Sequence, residues 1–366
     1  MKSAHLTTKQ MMILVCFISF GTIFFTLPRT LAHASGHSGW LSILLGSLMV
    51  IPTFWLITQI GSAMQEMSII AYCLSLFGPV FGRVYALLFL LPLLFFAAII
   101  IRILAEIIVS LVLPETPLEL VIIMLLVLRY YLAQGGMLSI ARWGEIIAPV
   151  IVVLFVTMFA LSMENVDLER IEPLFSASLM EVWKGSLGIC STFSEMIVLL
   201  YIYPQIKEKT QVLPALLWSM FIVLCLFEVT FLITMGTYGS AFTQRLIFPV
   251  IELVKDIALF EFIEHLESPF LAVWIFVNIT KGSLLFYACC VGSRDWFGTI
   301  DIGNLMIPIS IIIFYLSMIP DNINASIVSF EIAKGVTFWL YAFVLLTILW
   351  LAGKRKARRT ANEKPA

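Results

Sequence analysis

Long apolar segments recur along the chain and are separated by short polar connections. About ten of them approach the roughly 20 apolar residues that a helix needs to cross the hydrocarbon core of a bilayer. The predicted spans are residues 9–33, 40–61, 80–113, 118–133, 142–163, 183–204, 212–239, 268–292, 303–320 and 332–353. The connections are too short for a separate soluble domain. We therefore predict one transmembrane domain over residues 1–366, with five-span halves at about 9–163 and 183–353.

The composition agrees with this pattern. The 366 residues are 61% hydrophobic and only 12% charged, whereas soluble domains are about half apolar and a quarter charged. The chain is therefore predicted to be an all-α integral membrane protein whose partner along its length is the lipid bilayer.

Basic residues predict the orientation, because Lys and Arg accumulate on the cytoplasmic side of membrane proteins. One side receives Lys2, Lys9, Arg83, Arg129, Arg142, Lys207, Lys209, Arg294 and the tail at 354–366, which begins "KRKARR". The other side receives Arg29, Arg170, Lys184, Arg245, Lys255 and Lys334, with the acidic stretch "MENVDLERIEP". The first side is predicted to be cytoplasmic and to hold both termini, as an even number of spans requires. The basic tail is interpreted as a topology anchor and not as a nucleic-acid site.

Two predicted spans are interrupted. Span 1 contains "SFGTIFFTLPRT", with Gly21 and Thr22 followed by Pro28, and span 6 contains "KGSLGICSTFSEM". Broken helices persist in hydrocarbon only where protein buries them or where they line a cavity. Interruptions at corresponding places in two halves point to a midplane binding site in an inverted-repeat transporter. The alternative is that these glycines only allow close helix packing.

A break of this kind suits a small zwitterionic solute. The half-helix that begins at the break offers free N–H groups and a partial positive charge to a carboxylate, and carbonyls freed on the other side suit an ammonium group or a cation. The predicted ligand-binding residues are Gly21, Thr22, Ile23, Gly188, Ser191, Thr192, Ser194 and Glu195.

Ionisable residues within spans are costly unless paired or hydrated, so each is a functional candidate. Arg102 and Glu106 in span 3 are four residues apart and are interpreted as a structural pair near the outer surface. Lys281 in span 8 is predicted near mid-span, where it would act either as a fixed or titrating cation or as a structural ion-pair partner of Glu195 or Glu228. Glu228 in span 7 could instead face a water-filled cavity.

Residues 245–262 have an apolar face, formed by Leu246, Val250, Ile251, Val254, Ala258 and Phe262. They predict an amphipathic helix on the outer side, either on the bilayer surface or capping a vestibule.

The chain carries no nucleotide-binding, hydrolase or zinc-protease motif, and its six cysteines lack metal-ligand spacing. His33 and His37 lack an obvious third ligand. We predict no enzymatic activity, no metal site and no cofactor.

The segments "LTTKQMMILVCFISFGTIFFTLP", "LPETPLEL", "ARWGEIIAPVIVVLF" and "RLIFPVIELVKDIALFEFIEHLESPFLAVWIFVNITKGSLLFYA" resemble the permease-like B subunits of spore germinant receptors, the GerAB-type proteins. The resemblance covers nearly the whole chain. It implies a ten-span LeuT-like fold of the amino acid–polyamine–organocation superfamily, with a 5+5 inverted repeat and broken helices 1 and 6. Arg142 and Glu145 match an "R..E" pattern of that family.

The resemblance also implies a function. A B subunit would sense a small nutrient, expected to be an amino acid, together with A and C receptor subunits in the inner spore membrane. A stand-alone proton-coupled amino acid permease is the alternative, since the same pocket would serve both. A pore or structural subunit without a ligand is a third, weaker hypothesis. Nucleic acid is not an expected partner.

Overall fold

The computed structural model of the chain describes residues 5–21, 24, 26–256, 267–298 and 300–362. Among them the α-helices, numbered α1 to α15 in chain order, are Thr8–Phe20, Leu27–Ser35, Gly39–Met64, Ile69–Phe77, Pro79–Leu111, Leu118–Gln134, Gly136–Ser162, Leu179–Thr192, Leu199–Ile202, Val212–Thr243, Pro249–Lys255, Glu267–Phe297, Ile302–Ser317, Ile323–Trp339 and Leu346–Asn362.

Helices lie in all ten ranges predicted as spans. Within the described residues, seven helical stretches are long and apolar enough to cross a membrane, and two further apolar helices are shorter. The last span begins at Ile323, nine residues before the predicted start at 332, and a π-helical turn at Leu340–Leu345 joins α14 to α15. The chain is therefore a multi-pass membrane protein.

The first span is interrupted where the sequence predicts. Helix α1 ends at Phe20, the Gly21 N–H still donates to Phe17 O at 3.0 Å, and α2 begins at Leu27. The predicted ligand-binding residues Thr22 and Ile23 lie outside the described residues. Helix α1 starts with a capping box, in which the Thr7 and Gln10 side chains bond each other's backbone N–H groups.

The sixth span changes helix type and does not unwind completely. Helix α8 also starts with a capping box, formed by Ser178 and Glu181. After Thr192 the backbone becomes 3₁₀-helical over Phe193–Val198 and then forms the short α9. A stretch of 3₁₀-helix inside a longer helix often marks a hinge or a strained site.

The first described residues and helix α15 lie at one end of the helix bundle. Leu6 forms a parallel β-bridge with Ile206 after span 6, and Lys209 Nζ lies 2.8 Å from Glu66 Oε1 after span 2. Helix α15 packs against α4 at this same end. This agrees with an even number of spans, while the assignment of this face to the cytoplasm stays a prediction.

Helix α11 forms part of the predicted amphipathic segment. Val250, Ile251 and Val254 are buried, and the helix contacts α2, α7 and α12 at the opposite end of the bundle. The described part therefore packs onto the protein, as a cap would. Ala258 and Phe262 of the predicted face lie outside the described residues.

Candidate functional site

The 3₁₀-helical segment Phe193–Val198 lies at the centre of the bundle. It contacts α1, α5, α12 and α14, and all of its residues are buried. The interrupted part of span 6 therefore meets spans 1, 3, 8 and 10 inside the bundle.

The break in span 1 is held by α12. Asn278 Nδ2 donates hydrogen bonds to Gly21 O at 2.8 Å and to Trp274 O at 3.1 Å. A Cβ atom at Gly21 would lie only 2.9 Å from Phe17 O, 3.1 Å from Lys281 Cδ and 3.3 Å from Asn278 Oδ1. A larger residue at Gly21 would therefore have to displace Phe17 O and press on two side chains of α12. A carbonyl freed by the break is satisfied by a side chain.

Two of the predicted charges form an ion pair beside this break. Lys281 Nζ lies 2.7 Å from Glu195 Oε2, and the two side chains are 2% and 1% exposed. The pair joins span 8 to the 3₁₀-helical part of span 6. Of the two acidic partners considered for Lys281, the structure selects Glu195.

A second lysine in this region was assigned wrongly from the sequence. The sequence predicts Lys334 at the outer end of span 10, but it lies a third of the way along that span and is 1% exposed. Its Nζ lies 2.8 Å from Glu331 Oε1 and 4.7 Å from the centre of the Phe330 ring. The apolar run that ends at Phe330 is diluted by Asn322, Asn324 and Ser326, which hid the true start of the helix.

Arg129 was likewise assigned to a membrane surface and is in fact buried in α6, at 1% exposure. Its Nη1 donates to Ala97 O at 3.1 Å, while Nε and Nη2 have no hydrogen-bond partner among the described residues. A Cβ at Gly282 would lie 2.1 Å from Arg129 Cζ, so the guanidinium packs directly on span 8. Lys281 and Lys334 are thus paired with Glu195 and Glu331, whereas Arg129 has no acidic partner among the described residues.

The polar residues of span 6 differ in how they are satisfied. The Ser191 and Thr192 hydroxyls both donate to Gly188 O, at 2.7 Å and 3.3 Å. Ser194 Oγ is buried and has no partner within the described part of the chain. A Cβ at Gly188 would meet no atom within 4 Å, so there is open space beside this turn of α8. Ser194 and the space at Gly188 are where span 6 offers room and an unused hydrogen-bonding group.

The remaining predicted charges lie away from this centre. Arg102 Nε lies 2.5 Å from Glu106 Oε1, and Arg102 Nη1 donates to Ser317 O at 3.3 Å. These contacts lie near the ends of α5 and α13 that face away from the chain termini, as a structural pair would. Glu228 lies midway along α10, and its Oε1 is buried without a hydrogen-bond partner among the described residues.

Glu145 of the "R..E" pattern lies on α7 and contacts the start of span 1. Gln10 Nε2 donates to Glu145 Oε2 at 3.0 Å, and Gln10 Oε1 accepts from Thr7 N at 3.0 Å. Gln10 therefore connects the capped start of α1 to α7, below the break at Gly21.

Comparison with known proteins identifies the family. Residues 5–326 match the spore germination protein family, the spore permeases. The chain belongs to this family. It is 26% identical to spore germination protein A2 of Bacillus subtilis over 351 residues, which cover 94% of this chain and 96% of the relative. It is 21% identical to spore germination protein KB of the same organism over a 373-residue alignment, which covers 100% of this chain and 99% of that protein.

Solved transporter structures share the fold. MhsT in complex with L-phenylalanine superposes with a TM-score of 0.67 at 12% identity and covers 94% of each chain. The nucleobase-cation-symport-1 transporter MHP1, closed with bromovinylhydantoin bound, gives 0.63 at 14% identity and covers 95% of this chain and 75% of that one. The spore permease is thus an all-α membrane protein of the LeuT type, with spans 1 and 6 as the discontinuous pair. Its family and fold are those of germination proteins and transporters, not of enzymes.

Proposed function

We propose that this spore permease is the B subunit of a germinant receptor and that it binds a small nutrient at the break of span 1. The observation that carries the proposal is the juxtaposition, in the middle of the bundle, of Gly21 with Asn278, Lys281 and, through Lys281, Glu195. In a transporter fold this is the place where discontinuous helices expose backbone groups to a solute.

The charges favour a nutrient with a carboxylate. Lys281 on α12 and Lys334 on α14 belong to two helices that pack on the segment holding Glu195, and Arg129 is a third buried cation, packed on Gly282 of span 8. Glu195 and Glu331 balance two of these cations, so an anionic group would offset the remaining positive charge. The N-terminus of α2 adds backbone N–H groups and a favourable dipole. An amino acid supplies the carboxylate. It also supplies an ammonium group, which would donate hydrogen bonds to the Ser194 hydroxyl oxygen and to carbonyl oxygens at the break. MhsT, which shares the fold, is bound to an amino acid.

Nutrient binding would alter the conformation through the ion pair between Lys281 and Glu195. The pair ties span 8 to the 3₁₀-helical segment of span 6, so a carboxylate that competes for Lys281 loosens the link between them. A ligand shifts two packings of the bundle only by the difference in its affinity for each. We propose that A and C receptor subunits in the inner spore membrane respond to that shift, with both termini of this chain in the cytoplasm.

The decisive experiment separates sensing from transport. Spores lacking the chain are complemented with the natural protein or with Ser194→Ala, and germination is measured against a panel of amino acids. In parallel, uptake of labelled amino acids is measured in liposomes that contain only this chain. Loss of germination without uptake supports the receptor subunit. Accumulation driven by a proton gradient supports the permease instead, and an unchanged nutrient response in spores lacking the chain overturns the sensing role.

A further inference from the structure

A groove lies between α4 and α15, at the end of the bundle that also holds Leu6. Its volume is about 610 Å³. Its lining consists of Ser75, Leu76, Phe77, Ile348, Leu351, Ala352, Arg355 and Lys356. One part of the groove is therefore apolar and the adjoining part is basic.

Along α15 the side chains change from apolar to basic within about one turn. Ile348 and Leu351 are 43% and 45% exposed and follow the apolar part of the last span, whereas "KRKARR" begins at Lys354. The Trp350 ring makes an edge contact with Trp55 at 5.2 Å, and Lys354 Nζ lies 4.0 Å above Trp350. Tryptophan rings and basic residues collect where hydrocarbon gives way to headgroups. The groove thus crosses the boundary between hydrocarbon and headgroups.

The two walls of the groove are held together at the basic end. Lys356 Nζ donates to Ser75 O at 2.9 Å, and α15 approaches α4 so closely that a Cβ at Gly353 would lie 2.1 Å from Tyr72 Oη. The lysine is therefore fixed at the rim, and Arg355 is exposed beside it. A ligand with an anionic head and an apolar tail would place the head against these two residues and the tail along Ile348 and Leu351.

We propose that this groove binds one anionic phospholipid. Basic clusters next to the cytoplasmic end of a membrane helix attract anionic lipids, and the apolar wall distinguishes a lipid from a free phosphate ion, which would use only the basic rim. Because the lipid would touch both walls, it would strengthen the packing of α4 on α15. This binding does not require that the protein bind a nutrient.

The test is native mass spectrometry of the full-length chain in detergent with phosphatidylglycerol or phosphatidylcholine of identical acyl chains. Each basic residue near an anionic headgroup contributes about fivefold in affinity. Phosphatidylglycerol is therefore expected to bind about 25-fold more tightly than phosphatidylcholine. The double variant Arg355→Gln with Lys356→Gln is expected to lose most of this preference.

Two further variants keep the test specific. Arg83→Gln with Lys207→Gln removes the same charge from exposed residues outside the lining of the groove and should change the affinity less than about twofold. Leu351→Trp fills the groove without changing charge and should also weaken phosphatidylglycerol binding; a thermal denaturation midpoint equal to that of the natural chain confirms that it folds.

Three outcomes would overturn the proposal. They are equal losses in the two charge variants, undiminished binding in Leu351→Trp, and displacement of the lipid by millimolar inorganic phosphate.

Discussion

Asn278 donates its side-chain N–H to the carbonyl oxygen of Gly21 at 2.8 Å and thereby caps the broken end of the first span from span 8. We expect Asn278→Leu to lower the free energy of unfolding by about 1–2 kcal/mol, because a carbonyl inside the bundle loses its donor. Thermal denaturation in detergent measures this.

The matched control for that change is Thr280→Val on the same helix. Thr280 donates to Phe276 O of its own helix, so its loss should cost less than about 0.5 kcal/mol. Equal destabilisation by the two substitutions would show that Asn278 does not act by holding Gly21.

Glu195 and Lys281 are predicted to depend on each other. Breaking a buried pair by removing one partner costs about 3–5 kcal/mol, whereas replacing both partners with apolar groups can be nearly neutral. Glu195→Leu and Lys281→Met should each destabilise strongly, and the double variant should be more stable than the sum of the single effects indicates. A double-mutant cycle on denaturation midpoints checks this, and additive losses would contradict it.

Gly21→Val should abolish the nutrient response. The added side chain would overlap with Phe17 O, Lys281 and Asn278, which would displace α12 from the break. Germination is measured in spores carrying the variant, and the amount of the variant protein in the membrane is measured by immunoblotting. Gly335→Ala is the control, because a Cβ there meets no atom within 4 Å. An unchanged response in Gly21→Val would show that the break is not part of the binding site.

Lys334 is expected to set the affinity for the carboxylate. A hydrogen bond to a charged group contributes about 1.5–3 kcal/mol, or roughly 10- to 100-fold in affinity. Lys334→Met should raise the nutrient concentration for half-maximal germination by about that factor, and Lys334→Arg should retain part of the response. If the lysine only supports the fold, the Met variant would instead lower the protein level and leave the half-maximal concentration unchanged.

Glu228 should be dispensable for stability. Its carboxyl oxygen Oε1 is buried without a partner among the described residues, and an acidic group at the centre of a membrane helix costs about 2.5–3.5 kcal/mol. Glu228→Leu should therefore raise the denaturation midpoint. A variant that is more stable but fails to support germination would assign Glu228 a functional role that the described contacts do not show.

The sequence predicted the break at Gly21 because glycine and proline interrupt an otherwise apolar run, which is a local signal. It also indicated the pairing of Lys281 with Glu195 as one of two choices, because both lie near mid-span. It misplaced Lys334 and Arg129 because each lies near a predicted span end, where a basic residue usually marks the membrane surface. Their burial depends on contacts with Glu331 and Gly282 that no local pattern displays.

The backbone conformation of span 6 also depends on contacts that no local sequence pattern displays. Glycines and hydroxyl residues predicted an interruption, but the Ser191 and Thr192 hydroxyls bond back to Gly188 and the segment continues as a 3₁₀-helix. Whether a weak helical stretch unwinds or only tightens depends on the helices packed around it, here those of spans 1, 3, 8 and 10.

The short strand contact at Leu6 has a mechanical consequence. Leu6 N donates to Gln205 O at 2.8 Å, and Lys207 N donates to Leu6 O at 3.0 Å. Two main-chain hydrogen bonds thus join the residue before the first span to residues at the end of the sixth span. A displacement of either part would therefore be transmitted directly to the other through these two hydrogen bonds.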